Sequence, residues 1–138
     1  MNIDSIKQGF VIDHIRAGQS MAIYRLLRLD LLNCTVAIIK NVKSKKLGRK
    51  DIIKIDEWLE IDLDALGYID PNITVNEIRG DMIVEKRHLS TPERLTGVIR
   101  CNNPRCITSQ EPGLPHVFLL TDRERKVYRC RYCDAAGG

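Results

Sequence analysis

The chain has 138 residues, 43% of them apolar and 29% charged, with 9 glycines and 5 prolines; this is a globular composition, and it excludes disordered, collagen-like and low-complexity classes. No apolar run approaches the ~20 residues of a bilayer span, and Met1-Asn2-Ile3-Asp4 has neither a charged n-region nor an apolar h-region, so no membrane partner and a cytoplasmic location are expected. The net charge of +4 is spread thinly, with 14 Lys/Arg against 13 Asp/Glu in residues 1–92 and 8 against 5 in residues 93–138, which argues against the clustered basic, aromatic-studded face of a nucleic-acid binder.

Gly9-Phe10-Val11-Ile12-Asp13-His14-Ile15 is rich in β-branched and aromatic residues and predicts a strand. Ser20 is a candidate N-cap for a helix whose stripe is Met21, Tyr24, Leu27 and Leu31, widened by Ile23 and Leu26. Cys34 to Ile39 is a nearly continuous apolar run, as in a strand buried on both faces, with Cys34 a core residue. The basic stretch Lys43-Ser44-Lys45-Lys46, followed by Arg49-Lys50 and Lys54, reads first as a solvated loop and second as a cluster for a small polyphosphate, and Arg49 to Leu59 reads as the next strand. Asp62 to Gly67 predicts a short helix with an acidic start and a glycine end. Ile73–Arg79 and Asp81–Lys86 are expected as strands joined at Gly80. The resulting order, β-α-β-β-α-β plus a closing hairpin strand, is that of a split βαβ sheet with helices on one face. Pro92-Glu93 is expected to open a helical turn and to mark a boundary, dividing the chain into 1–92 and 93–138.

Beyond it, Leu114 to Leu120 and Lys126 to Arg129 read as short strands between cysteines. Five cysteines in a reducing compartment are expected to be thiols or metal ligands. Cys101 and Cys106 form C-x4-C, Cys130 and Cys133 form C-x2-C, and 23 residues separate the two knuckles. Two such knuckles supply the four thiolates that tetrahedral zinc takes, and a four-cysteine site has no open position, so one structural zinc per chain is expected.

Catalytic groups are not assembled anywhere. His14, His88 and His116 show no ligand spacing, and adjacent strand positions should aim Asp13 and His14 at opposite faces. No phosphate-binding glycine loop, nucleophile elbow or HExxH is present. The strand from Arg49 carries instead Lys50, Ile52 and Lys54 on one face and Asp51, Ile53 and Ile55 on the other. Lys50 and Lys54 would stand about 13 Å apart at ~3.3 Å per residue, a separation suited to an extended polyanion such as a nucleotide.

With Gly9-Phe10-Val11-Ile12-Asp13-His14-Ile15, Gly48-Arg49-Lys50-Asp51-Ile52-Ile53-Lys54-Ile55, Thr74-Val75-Asn76-Glu77-Ile78, Pro92-Glu93-Arg94 and the four cysteines in this order, the chain resembles the regulatory chain of aspartate carbamoyltransferase. The resemblance implies an α+β protein, with a ferredoxin-like N-terminal allosteric domain and a small C-terminal β, zinc-ribbon-like domain. It implies a noncatalytic subunit that binds ATP- or CTP-type effectors, pairs as a regulatory-chain homodimer and docks on the catalytic chain to control pyrimidine biosynthesis. On matching positions, Asp13 and Lys54 would meet ribose and phosphate, Lys86 the phosphates, and Lys50 and His14 the phosphate side. Ile3, Asp4 and Ile6, with Asn76, Ile78 and Ile83, would enclose the base, and Cys101, Cys106, Cys130 and Cys133 would hold zinc. Asp81 stands where the family carries tyrosine beside the base. Only Asp134 to Gly138 follow Cys133, where the family continues into a further strand, so the zinc-module contact is expected to be the weaker interface. The competing reading is a zinc-ribbon nucleic-acid-binding factor using Arg123, Arg125, Arg129 and Arg131; a redox pair at Cys130 and Cys133 is a third, less favoured because the partner knuckle accounts for those thiols.

Overall fold

The computed structural model describes residues 7–137. The chain divides into two compact units, Met1–Ser90 and Thr91–Gly138. The first runs β1 (Gln8–Arg16), α1 (Ser20–Leu26), β2 (Val36–Ser44), β3 (Gly48–Ile55), α2 (Leu63–Ile69), β4 (Thr74–Arg79) and β5 (Met82–His88). Its sheet has the order β2-β3-β1-β4-β5, antiparallel throughout. This is the expected α+β, split βαβ arrangement with one strand added at the β4 edge.

Alternation fixes which face meets the helices. Phe10, Ile12 and Ile15 of β1, Ile53 and Ile55 of β3 and Val75 of β4 join Ile23 of α1 and Leu66 of α2 in one buried cluster. Gly9 lies so close to β3 that a Cβ on it would meet the Ile55 carbonyl oxygen at 2.0 Å, so glycine is required there. The β4–β5 connection is the two-residue turn Gly80-Asp81 with φ of 59° and 65°, the left-handed pair that matches strand twist.

Four expectations are corrected. Helix α1 ends at Leu26, Arg28 turns left-handed at φ 54°, and a 3-10 turn at Leu29–Leu31 follows. This break in phase buries Ile23 and Leu29 and leaves Met21 and Leu31 37% and 65% exposed. Ser20 is not the cap; it is the first helical residue, after Gln19. The amides of Gly18 and Ser20 donate instead to Asp51 Oδ2 at 3.1 and 3.3 Å, while Asn41 N–H, freed by a bulge in β2, donates to Asp51 Oδ1 at 2.9 Å. Strand β2 is a half-exposed edge rather than a strand buried on both faces. Gly67 lies inside α2, whose N-terminus is capped by Asp62 accepting from Ala65 N–H at 3.1 Å.

The second unit contains β6 (Arg94–Thr96), α3 (Ile107–Gln110), β7 (Val117–Asp122), β8 (Val127–Cys130) and β9 (Ala136–Gly137), with the strands in sequence order in one antiparallel sheet. Pro92-Glu93 does not open a helix; the helical turn follows Cys106 instead. After Cys133, Ala136–Gly137 form the edge strand β9 on β8. Leu95, Phe118 and Tyr128 are its fully buried side chains of any size, and the Tyr128 hydroxyl donates to the Pro92 carbonyl at 2.6 Å.

Candidate functional site

The two cysteine knuckles are shaped by local backbone chemistry. Asn103 Oδ1 accepts from Arg105 N–H at 3.0 Å, and its carbonyl accepts from Cys106 N–H at 3.0 Å, which folds the first knuckle tightly. In the second, Asp134 adopts φ 63°, its N–H donates to the Cys130 carbonyl at 2.9 Å, and Cys130 N–H donates to the Ala135 carbonyl at 2.9 Å. His116 Nδ1 accepts from Cys101 N–H at 3.0 Å. The four sulfurs consequently lie within 4.8 Å of one another, with Cys101–Cys133 at 3.5 Å and Cys106–Cys130 at 3.7 Å. A tetrahedron with metal–sulfur bonds of ~2.3 Å has edges of about 3.8 Å, so the donor set fits such an ion.

As free thiols the four are unequal. Burial pushes Cys101 up to about 12. The Thr108 hydroxyl, 3.0 Å from the Cys106 sulfur, draws that thiol down. The Ala135 N–H and the Asn103 carboxamide draw Cys133 down to about 7. One ligand of each knuckle is thus already disposed toward the thiolate that a metal needs.

The second site is the sheet face of the first unit that points away from the helices. Cross-strand register places Ala37, Lys54, Val11, Asn76 and Lys86 in a single row over all five strands. Lys54 and Lys86 are three strand spacings apart in that row, about 14 Å at ~4.8 Å per strand. A neighbouring row brings Asp13, Thr74 and His88 together. On the same face, Lys50 Nζ pairs with Asp13 Oδ1 at 2.9 Å, both side chains being about four-fifths buried. Burial works to raise the Asp13 carboxyl, but Lys50 and the His14 N–H, 2.6 Å from Oδ1, outweigh it and hold the group below the usual carboxylate range.

His14 departs from the expected alternation. Its φ is 58°, the β1–β3 register shifts between Ile12 and Ile15, and Nδ1 lies 2.9 Å from Thr74 Oγ1 on the outer face. The bulge therefore puts Asp13 and His14 on the same face, not opposite ones. Burial lowers the His14 pKa; Asp13 opposes this, and the charges of Lys50, Lys46 and Lys86 add to the lowering. Burial and these three positive charges together disfavour the protonated imidazole.

Asp13, His14, Lys50, Lys54, Asn76 and Lys86 all share this face, and Ile78 pairs with Ile83 at its end, where Ile83 is 61% exposed. Ile3, Asp4 and Ile6 lie outside the described residues. Asp81 sits in the β4–β5 turn, its N–H donating to the Lys7 carbonyl at 3.2 Å. The Asn76 Oδ1 atom is buried with no hydrogen-bond partner among the described residues. Sequence reasoning does not find Thr74, which orients His14 and is signalled only by its register opposite Asp13. Of the arginines weighed for nucleic acid, Arg123 pairs with Glu93, Arg125 with Asp122, and Arg129 donates to the Asp134 carbonyl.

Comparison with known proteins gives one answer along the whole chain. The family model for the aspartate carbamoyltransferase regulatory chain, allosteric domain, matches residues 1–90, and that for the metal binding domain of the same chain matches residues 93–136. The chain is 51% identical over 135 residues to the aspartate carbamoyltransferase regulatory chain of Clostridium tetani, covering 97% of this chain and 94% of that one. It is 50% identical over 134 residues to that of Clostridium botulinum strain Hall, with 97% and 92% covered, and 46% identical over 134 residues to that of Bifidobacterium longum, with 97% and 96% covered. The metal-ligating knuckles and the sheet that precedes them are those of a chain belonging to the aspartate carbamoyltransferase regulatory chain family.

Proposed function

We propose that this noncatalytic regulatory chain binds a nucleoside triphosphate of the ATP or CTP kind on the outer sheet face of its first unit. It then conveys that binding to an aspartate carbamoyltransferase catalytic chain through a zinc-stabilised second unit. The observation that carries the nucleotide reading is the row from Lys54 to Lys86 across Val11 and Asn76. Lysines whose backbones stand about 14 Å apart, at ~4.8 Å per strand, suit different parts of a polyphosphate-bearing ligand. Lys50, held against Asp13, lines the phosphate side with His14. The unpartnered Asn76 oxygen offers an acceptor to a donor on the ligand. Ile78 and Ile83 supply apolar surface for the base, and Ile3, Asp4 and Ile6, outside the described residues, are assigned with them to enclosing and reading it. Binding of this kind, at a site with no assembled acid, base or nucleophile, acts by shifting an equilibrium in the partner, with a coupling of typically ~1–3 kcal/mol.

For the metal, four thiolates with tetrahedral edges favour zinc over hard cations. The ion supplies cross-linking and no reaction chemistry, since all four positions are taken. Cys101 and Cys106 would hold it from the first knuckle, Cys130 and Cys133 from the second. Thiolate ligation suits a reducing cytoplasm, and no helix among the described residues is long and apolar enough to cross a membrane. The open edge of β2, with half-buried Val36, Ile38 and Ile39, is where a second copy would extend the sheet to form the homodimer. Control of pyrimidine biosynthesis follows if the catalytic partner is engaged.

Calorimetry with ATP and CTP tests the nucleotide site. Lys54→Ala should weaken binding by ~1.5–3 kcal/mol, the range for hydrogen bonds to charged groups, and a Lys54→Ala, Lys86→Ala double variant should weaken it further. Equal affinity in wild type and double variant would overturn the reading. Light scattering of the chain alone and mixed with catalytic trimers tests the rest: a monomer that never joins the trimer removes the regulatory role.

A further inference from the structure

Thr108 is a buried polar residue to which the fold gives no evident task of its own. It is 4% exposed and lies in the first turn of α3, two residues after the ligand Cys106. Its hydroxyl donates to the Cys106 sulfur at 3.0 Å. The next residue, Ser109, faces the other way: its N–H donates to the Cys106 carbonyl at 2.9 Å and its hydroxyl to the Asn103 carbonyl at 2.8 Å. These two bonds lock the turn, so the Thr108 side chain has a fixed direction toward sulfur.

The chemistry of the site gives that direction a purpose. Four thiolates around one divalent ion leave a net charge of −2, and Cys106, 1% exposed, has little access to water that could disperse its share. A hydroxyl proton aimed at the sulfur does so in water's place and fixes the lone-pair orientation presented to the metal. We propose that Thr108 is a positioning residue of the metal centre, whose hydroxyl holds the Cys106 thiolate in ligating geometry and sets how slowly the metal is released.

This role rests on the reading of the four cysteines as a metal site, and the test separates the two. The full chain is loaded with zinc and challenged with an excess of a colorimetric chelator, and a cobalt-loaded sample is read for its thiolate-to-metal charge-transfer band. Thr108→Val, nearly isosteric, and Thr108→Ala should both release zinc about 10- to 100-fold faster, the usual span for loss of an outer-shell partner, and should shift the cobalt band. Thr108→Ser, which keeps the hydroxyl, should stay near wild type in both readouts. Release at the wild-type rate from metal-loaded Val and Ala variants overturns the proposal, and so does a Ser variant as leaky as Val, which would assign the effect to the methyl group. A wild-type chain that takes up no zinc removes the metal reading, and this role with it.

Discussion

The first unit holds ten buried apolar side chains in one continuous cluster, contributed by three strands, both helices and the turns between them. The second has strands of three, six, four and two residues, and three of its buried side chains are cysteines of the metal site. In the first, many contacts each contribute a little, so no single group decides folding. In the second, with its short strands and small core, the proposed thiolate–metal cross-link would supply what apolar burial lacks against chain entropy. The sharpest way to break the comparison is Cys130→Ser. Structural zinc sites contribute roughly 10–16 kcal/mol in apparent terms, far more than this core supplies, so the variant should lose metal and unfold residues 91–138. Hydrogen exchange should show that unit unprotected while amides around Ile12, Ile53 and Val75 stay protected. A fully folded, metal-free second unit would refute the division.

The reciprocal change is Ile53→Ala. Ile53 is fully buried at the centre of the sheet, opposite Ile12 on one side and Ile38 on the other. Truncation leaves a cavity and should cost about 2–5 kcal/mol, seen as a lower urea midpoint for the first unit. Zinc retention by the second unit should not change. Metal loss in this variant would mean that the two units do not fold independently.

How much of the molecule is legible in its residues depends on the range of the interaction that sets each feature. The β3 alternation, lysines on one face and isoleucines on the other, is a period-two pattern contained within eight residues. The cysteine knuckles are equally local, since each is closed by bonds within five residues. The stripe through Leu31 fails because an amphipathic count carries phase across Arg28, and nothing in that residue type announces a left-handed turn. The row from Lys54 to Lys86 joins residues brought together only by strand register, which is non-local; Lys54 stands out by its spacing from Lys50, but Asn76 and Lys86 are reached only through the family resemblance. Asp51 lies between these cases. A lone acid on the face of Ile53 and Ile55 is visible in the alternation, but its amide partners, 10 to 33 residues away, are not.

Asp51 is also where the first unit most resembles the second, because one side chain there serves several backbone segments. It is fully buried. Burial acts to raise its pKa, but the hydrogen bonds it accepts, including those from the amides of Asn41, Gly18 and Ser20, prevail and hold it below the usual value. A depressed folded-state pKa means that this contribution is present above the unfolded value near 3.9 and disappears as pH falls through the folded value. Asp51→Asn keeps the shape and one acceptor but loses the charge. At pH 7 it should destabilise the first unit by about 1.5–3 kcal/mol, and the gap to wild type should narrow steadily in urea titrations below pH 4. A gap independent of pH would assign the effect to packing.

The smallest expected effect sharpens the contrast most. Tyr128 is completely buried in the second unit, and its hydroxyl donates to the Pro92 carbonyl at 2.6 Å, tying β8 to the start of that unit. Tyr128→Phe keeps the ring against its neighbours and removes that bond, a change of about 0.5–1.5 kcal/mol. In a unit held by its own core this would appear directly as a lowered unfolding midpoint. On the proposed metal-dependent folding of this unit, the loss is felt as a weaker grip on the metal, because folding and binding are then one equilibrium. A deficit of ~1 kcal/mol should raise the apparent zinc dissociation constant about fivefold, measured by competition with a chelator of known affinity. The thermal transition of the zinc-saturated protein should move little, since ~1 kcal/mol is a small share of a stability that bound metal would dominate. An unchanged zinc affinity together with a large fall in the saturated midpoint would show that the second unit stands on its apolar core after all.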